Sequence, residues 1–416
     1  MKIRYQVLFG LFLLSIITYL DRVCMNVVSK YVKSDLGLDN ESFGYILGAF
    51  SLSYALFELP TGILGDKIGP RKVLTRVVLW WSGFTALTGT AFSYIYLLVV
   101  RFLFGAGEAG AFPNASIVIS RWFPSVEVGR AQSVIWAAGR LGGALTPLLV
   151  IPLVHAAGWR MAFFILGAVG ALWAIAWYFW FRDTPAEMAD ITKQEVLEIE
   201  TNRKKTASDH HVDWKIVIKN PNVWALMLMC HLFFYASYFF TNWSSTYFQE
   251  GRHMTEDQAK KFVSLSYFLG AIGCLVGGFA SDFLTKKYGL KLGRRVVGVL
   301  GLGSSSICFL ASGLTTDNQL AGYLLALCVL LKDFTLPVAF AVCVDIGKQY
   351  SGTVAGAMNF AGQLGGFFIT IIFGIIVNQT GNFNYPLFLI AGCLIVASML
   401  WFVIDPTKNL VVEKEA

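Results

Sequence analysis

Ala138-Gly139-Arg140-Leu141-Gly142-Gly143 and Ala361-Gly362-Gln363-Leu364-Gly365-Gly366 match at five of six positions, each at the corresponding point of its half of the chain. A second pair runs in the same register. Gly65-Asp66-Lys67-Ile68-Gly69-Pro70-Arg71-Lys72 is echoed by Ser281-Asp282 and then Gly293-Arg294-Arg295. Two matches in register mark an internal duplication. The glycines in the first pair let helix backbones approach closely.

The duplicated segments sit in a chain built for lipid. Of 416 residues, 56% are hydrophobic and only 14% are charged, which excludes an ordinary soluble globule. Apolar runs of about 20 residues are long enough to cross a ~30 Å hydrocarbon core. Twelve are legible, at roughly 5–28, 43–64, 73–93, 95–119, 130–154, 160–181, 222–247, 262–284, 295–314, 319–345, 352–378 and 384–404. The expected fold is therefore an all-α polytopic membrane protein, with twelve transmembrane helices in two pseudo-symmetric six-helix bundles. The bundles are expected at residues 1–181 and 222–416. Between them, 182–221 opens with Arg182-Asp183-Thr184-Pro185 and carries Glu195, Glu198, Glu200, Arg203, Lys204 and Lys205. It reads as a solvated amphipathic linker on the cytoplasmic surface.

Met1-Lys2-Ile3-Arg4 gives a basic start like that of a signal peptide. The apolar run behind it is too long, carries Asp21-Arg22 and lacks a small-residue cleavage pattern, so it reads as a retained helix. With the N-terminus inside, the loops and ends on that side hold 23 Lys/Arg and the opposite side holds 6. This asymmetry places both termini in the cytoplasm of a multi-pass inner (plasma) membrane protein. It also explains the net charge of +7 without nucleic acid. The seven cysteines fall in or beside apolar segments without a CxxC pair and read as packing residues. His155 and His231 have no metal-ligand spacing. No phosphate loop or nucleophile triad is present, so no cofactor and no enzymatic activity are expected.

Five ionisable residues interrupt the apolar segments of the first half: Asp21, Arg22, Arg101, Glu108 and Arg140. Each costs about 2.5–3.5 kcal/mol at mid-bilayer on insertion scales, which makes them functional candidates. Arg101 and Glu108 are seven apart on one helix face, about 10 Å along the axis. Tyr19 and Arg22 are three apart and share a face. Topology puts Asp21, Arg22 and Arg101 in the outer half of the membrane and Glu108 near its middle. Arginines facing a cavity can grip a carboxylate bidentately. Alternatively each acid forms a structural ion pair with one arginine. Arg140 occupies the place of Gln363 in the repeat, so both are expected to face a central cavity; pairing of Arg140 with Glu108 is the other reading. Lys332-Asp333 lies at a depth similar to Glu108, each a few residues before a proline (Pro337, Pro113). It is either a self-paired couple or a second coupling site.

The Gly65–Lys72 loop closely resembles the signature loop of the major facilitator superfamily. Tyr19-Leu20-Asp21-Arg22, the run from Arg101 through Glu108 to Pro113, and Arg121-Trp122-Phe123-Pro124 are similar to its anion:cation symporter branch. So are Gly158-Trp159-Arg160-Met161-Ala162-Phe163, Asn242-Trp243 and Gly356-Ala357-Met358-Asn359. Within that branch the chain most resembles bacterial hexuronate and aldonate transporters. The resemblance implies secondary active transport by alternating access, here proton-coupled symport of an organic anion such as a sugar acid. It implies that Arg22 and Arg101 bind the anion, with Tyr19, Tyr54 and Asn359 as hydrogen-bonding contacts. It further implies that Asp21 and Glu108 carry the coupled protons, and Asp66, Arg71 and Asp282 are expected to act in gating. Burial raises a carboxylate's proton affinity and a nearby arginine lowers it, so an arginine drawn toward substrate links binding to protonation. The expected partners are the anion, protons and the lipid bilayer, and the expected state is a monomer. Sodium-driven or exchange transport of phosphate, an acidic amino acid or a sialic acid stays open, as does a transporter-like sensor.

Overall fold

In the computed structural model, residues 2–201, 219–347 and 351–410 are described, with all their side chains except those of Leu59, Asp66, Ser125 and Val126. Among them there are helices and no strands. That outcome follows from the solvent. A bilayer offers no hydrogen bonds, so each spanning segment must satisfy its own backbone, and a helix does so.

The first half runs α1 (Ile3–Val27), α2 (Ser29–Leu36), α3 (Asn40–Ile68), α4 (Pro70–Thr88), α5 (Tyr94–Glu108), α6 (Ala111–Trp122), α7 (Ser125–Ala157) and α8 (Trp159–Trp180). After α9 (Lys193–Thr201), the second half runs α10 (Pro221–Asn242), α11 (Glu256–Tyr288), α12 (Leu290–Leu314), α13 (Asn318–Asp333), α14 (Thr335–Gly347), α15 (Ser351–Thr380) and α16 (Asn384–Val403). Helix starts carry the expected caps. Ser93 accepts the Tyr96 N–H, Thr255 forms a capping box with Gln258, and Asp317 accepts from Gln319 and Leu320. Gly69 (φ 91°) and Gly289 (φ 88°) make the equivalent sharp joints before α4 and α12.

Among the described residues, ten stretches are long and apolar enough to span, with α5–α6 and α13–α14 each counting as one. α3 and α4 complete the twelve. In α4 the basic residues Arg71, Lys72 and Arg76 dilute the hydropathy. The fourth and tenth spans are each broken in the middle, after Glu108 and after Asp333.

The chain divides into two compact units, Met1–Leu38 with Tyr45–Ser208, and Asp39–Gly44 with Asp209–Ala416. The same pairings recur inside each. α1 packs on α7 and α10 on α15; α4 packs on α8 and α5, as α12 packs on α16 and α13. The repeated glycines sit at these seams. A Cβ on Gly142 would lie 2.6 Å from the Ile16 carbonyl oxygen, and one on Gly365 would lie 2.0 Å from that of His231. Gly139 faces the Tyr19 ring as Gly362 faces that of Phe234.

Two arginines tie the loops down in parallel fashion. Arg71 donates to the Tyr178 carbonyl at 2.9 and 2.6 Å, at the end of α8. Arg295 donates to the carbonyls of Trp401 and Phe402 at 2.9 and 2.7 Å, at the end of α16. Both satisfy carbonyls that a helix terminus leaves open. An aspartate follows each helix. Asp183 accepts the Arg71 backbone N–H at 2.8 Å, and Asp405 accepts from Lys291 at 2.6 Å.

The start of the linker departs from the solvated reading. Glu195 of α9 is buried and accepts the backbone N–H groups of Ile3 and Arg4 at 3.1 and 3.0 Å. Glu198 pairs with Arg4 at 2.9 Å and Lys2 at 2.6 Å, and Arg4 also reaches Glu127 at 3.1 Å. The charged composition reflects a basic chain start that needs acidic partners. Arg203, Lys204 and Lys205 lie outside the described residues.

Placing a side chain at Gly365 should therefore be costly. Gly365→Val is expected to lose about 2 kcal/mol or more through overpacking, whereas Gly356→Ala, with open space at its Cβ, should be neutral or stabilising; thermal unfolding of the purified variants compares them. The Lys291 ammonium holds the Asp405 carboxylate down to about 2. Its contribution is thus full above about pH 4 and vanishes as pH falls through about 2. The melting-temperature gap between wild type and Asp405→Asn should stay constant from pH 6 to about pH 4 and narrow as pH falls from there towards about 2.

Candidate functional site

In the first unit, the last turns of α1 present Tyr19, Asp21 and Arg22, α3 presents Phe50 and Tyr54, and α5 presents Arg101 and Glu108. Asp21, Arg101 and Glu108 are 1%, 2% and 0% exposed, and Arg22 is 8% exposed. These four ionisable groups are gathered in one place. Arg22 Nε forms an ion pair with Glu108 Oε1. Arg101 is within electrostatic reach of Glu108, Asp21 and Arg22. Asp21 has Glu108, Trp81 and Arg101 as its polar neighbours.

Of the two structural ion pairs that the sequence allows, one is made. Among the described residues, neither carboxylate oxygen of Asp21 accepts a hydrogen bond, and neither does Glu108 Oε2. Arg101 Nε likewise has no acceptor. In a dry interior such atoms are costly, and they concentrate where a structure awaits a proton or a ligand.

Aromatic faces supply much of the cluster's solvation. The Arg22 guanidinium lies 4.5 Å from the Tyr54 ring centroid, 5.5 Å from Phe50, 5.7 Å from Tyr19 and 5.9 Å from Phe112. Arg101 lies 4.4 Å from Phe104 and 5.2 Å from Phe50. Each close cation–π contact contributes about 0.5–2 kcal/mol. Phe50, Trp81, Phe104 and Phe112 were not singled out from sequence. The available signal was spacing: Phe50 and Tyr54 are four apart in α3, and Phe104 lies one turn from both Arg101 and Glu108.

Arg140 is buried on α7, beside Gly139 with its contact to the Tyr19 ring. Asn359 and Gln363 stand one turn apart on α15 in the second unit. Gln363 is buried there and accepts the Tyr238 hydroxyl at 2.5 Å. Of the expected gating residues, Arg71 makes the α8 clamp already described. Asp282 pairs with Arg294 at 3.2 Å, and the same guanidinium reaches Asp345 at 3.1 Å. The side chain of Asp66 lies outside the described ones.

A twelve-span helical chain with a repeated six-helix plan and a buried cluster of paired and open charges is organised like a membrane transporter. Residues 11–370 match the Major Facilitator Superfamily, and the chain belongs to that family. It is 33% identical to a probable sulfoacetate transporter, SauU, of Cupriavidus necator, over 97% of this chain and 94% of the relative. It is 28% identical to a hexuronate transporter of Bacillus subtilis, over 96% and 94%. Its fold is similar to that of a bacterial homologue of the human lysosomal transporter Spinster, with a TM-score of 0.78, 18% identity and 97% of each chain covered.

The Arg22–Glu108 pair has a thermodynamic signature. Arg22→Met or Glu108→Leu alone strands a buried charge and should cost about 3–5 kcal/mol, while the double variant should recover most of it. A double-mutant cycle on thermal unfolding gives the coupling directly. Additive losses would mean that the two side chains do not depend on one another.

Proposed function

We propose that this protein is a secondary active transporter that imports an organic anion with protons by alternating access, with a sugar acid as the expected cargo. The observation that carries this reading is the buried cluster of Asp21, Arg22, Arg101 and Glu108, in which one ion pair is closed and several polar atoms stay open. Arg22 and Arg101 are the anion-binding groups, and Tyr19 and Tyr54 present hydroxyl groups beside them. By the family resemblance Asn359, Gln363 and Arg140 are further candidate contacts to the cargo. Asp21 and Glu108 carry the protons. An anion that draws Arg22 away from Glu108 removes that carboxylate's counter-charge, and a proton replaces it. Asp66, Arg71 and Asp282 act in gating, by holding loop conformations rather than by touching cargo. Relatives of nearly full length named for a hexuronate and for sulfoacetate support an anionic cargo. The likeness to the probable sulfoacetate transporter favours a second cargo, a short sulfonated carboxylate. The sodium-coupled and exchange alternatives are separated from the proton reading by experiment.

Energetics constrain the stoichiometry. One proton with one monoanion moves no net charge. A membrane potential, worth ~2.3 kcal/mol per charge per 100 mV, contributes only if protons outnumber the anion's charges.

Purified protein in liposomes, offered hexuronates, aldonates and sulfoacetate under separately imposed pH, sodium and voltage gradients, tests the assignment. Accumulation should follow the pH gradient and ignore sodium; the reverse result overturns it. Glu108→Gln and Asp21→Asn should abolish proton-driven accumulation while sparing exchange of bound anion. Arg101→Lys, which cannot bind a carboxylate bidentately, should weaken binding about tenfold or more.

A further inference from the structure

The repeat contacts fix a register between the two units. Gly142 meets Ile16 as Gly365 meets His231, and Gly139 meets Tyr19 as Gly362 meets Phe234. Gly62 faces Pro113 as Gly278 faces Pro337. In this register Ser237 stands at the place of Arg22, and Lys332 at the place of Glu108. The second pair is also in contact, since Lys332 Nζ donates to Ser237 Oγ at 2.9 Å. Lys332 forms an ion pair with Asp333 Oδ1 and lies 4.5 Å from the Phe233 ring centroid. Lys332 and Asp333 are 1% and 0% exposed.

Neighbours in sequence project about 100° apart on an unbroken helix and do not face each other. Here both stand in the last turn of α13, directly before the one-residue interruption at Phe334, and the Lys332 ammonium folds back onto the Asp333 carboxylate. α5 is interrupted at the matching place, after Glu108. Each broken span thus ends its first segment on a buried carboxylate neutralised by an attached cation. For Glu108 that cation comes from α1, and for Asp333 it comes from the preceding residue.

The groups that the Lys332 ammonium meets include a carboxylate oxygen, a hydroxyl oxygen and an aromatic face, in the last turn of α13. Free monovalent cations are recognised by the same set, and broken transmembrane helices present such ends to coupling cations. A structural role alone does not explain the pair, because a buried ion pair is commonly replaceable by apolar residues without loss. We propose that the break in the tenth span is a monovalent-cation site which the chain fills with its own Lys332 ammonium. The site is preloaded, so in the wild-type protein a free cation has no access to Asp333 and Ser237. Removing the ammonium opens the site to ammonium or an alkali cation.

The test reads stability and does not depend on which anion is carried or on whether transport is proton-driven. Full-length wild type, Lys332→Ala and Lys332→Ala/Asp333→Asn are unfolded thermally in ammonium, sodium, potassium or choline chloride at one ionic strength. Wild type sets the baseline response to each salt, against which the variants are compared. Lys332→Ala should melt lower in choline and regain about 2–4 °C or more in ammonium or an alkali cation. The double variant, lacking the carboxylate, should not respond. Equal midpoints for Lys332→Ala in all salts, or an equal response in the double variant, overturn the proposal. If Lys332→Ala aggregates in choline, its recovery as a folded species by size exclusion in ammonium or an alkali salt supports the site, and aggregation in every salt overturns it.

Discussion

The ion pair between Arg22 and Glu108 joins the first and fourth spans at a depth where neither charge is stable alone. Much else in the first unit is arranged around it. Four aromatic rings from three spans enclose the guanidinium, α5 stops at the carboxylate, and Asp21 and Arg101 stand beside the pair without closing a second ion pair. Burial makes each charge dependent on its neighbours and so makes the cluster responsive. An added anion or proton changes which charges are balanced, in a medium that screens little.

The second unit solves the same problem with different residues. Where the first has an acid held by an arginine from its first span, the second has a lysine held by a serine from its own first span and by the next residue. Backbone geometry is the better preserved part of the duplication. Glycines admit the same close approaches, positive-φ glycines make the same joints, and arginines cover the same terminal carbonyls. Charge has been redistributed on that common frame.

Much of this was legible in the sequence, because lipid imposes a strong pattern. Apolar runs, basic loops and the repeated glycine motif lead directly to an all-helical, twelve-span chain. The grouping of Asp21, Arg22, Arg101 and Glu108 was also legible, since a charge in an apolar run has few places to go. The partner choice was not: spacing allowed Asp21 or Glu108 to take either arginine, and three-dimensional packing selects Arg22 with Glu108. The aromatic shell was hidden because Phe50 and Phe112 look like any lipid-facing or core phenylalanine. The linker misled for a related reason. Glu195 and Glu198 have the composition of a solvated helix, and only the distant Arg4 and Lys2 explain their placement.

That placement has a consequence in time. The chain emerges N-terminus first, and its domains fold as units during synthesis. The opening N–H groups of α1 gain their acidic partners only once residue 195 has been made, after all six spans of the first half. α9 therefore acts as a closing seam for the first turn of the chain. A chain cut short inside the sixth span would lack Glu195 and leave its very first turn without acidic partners.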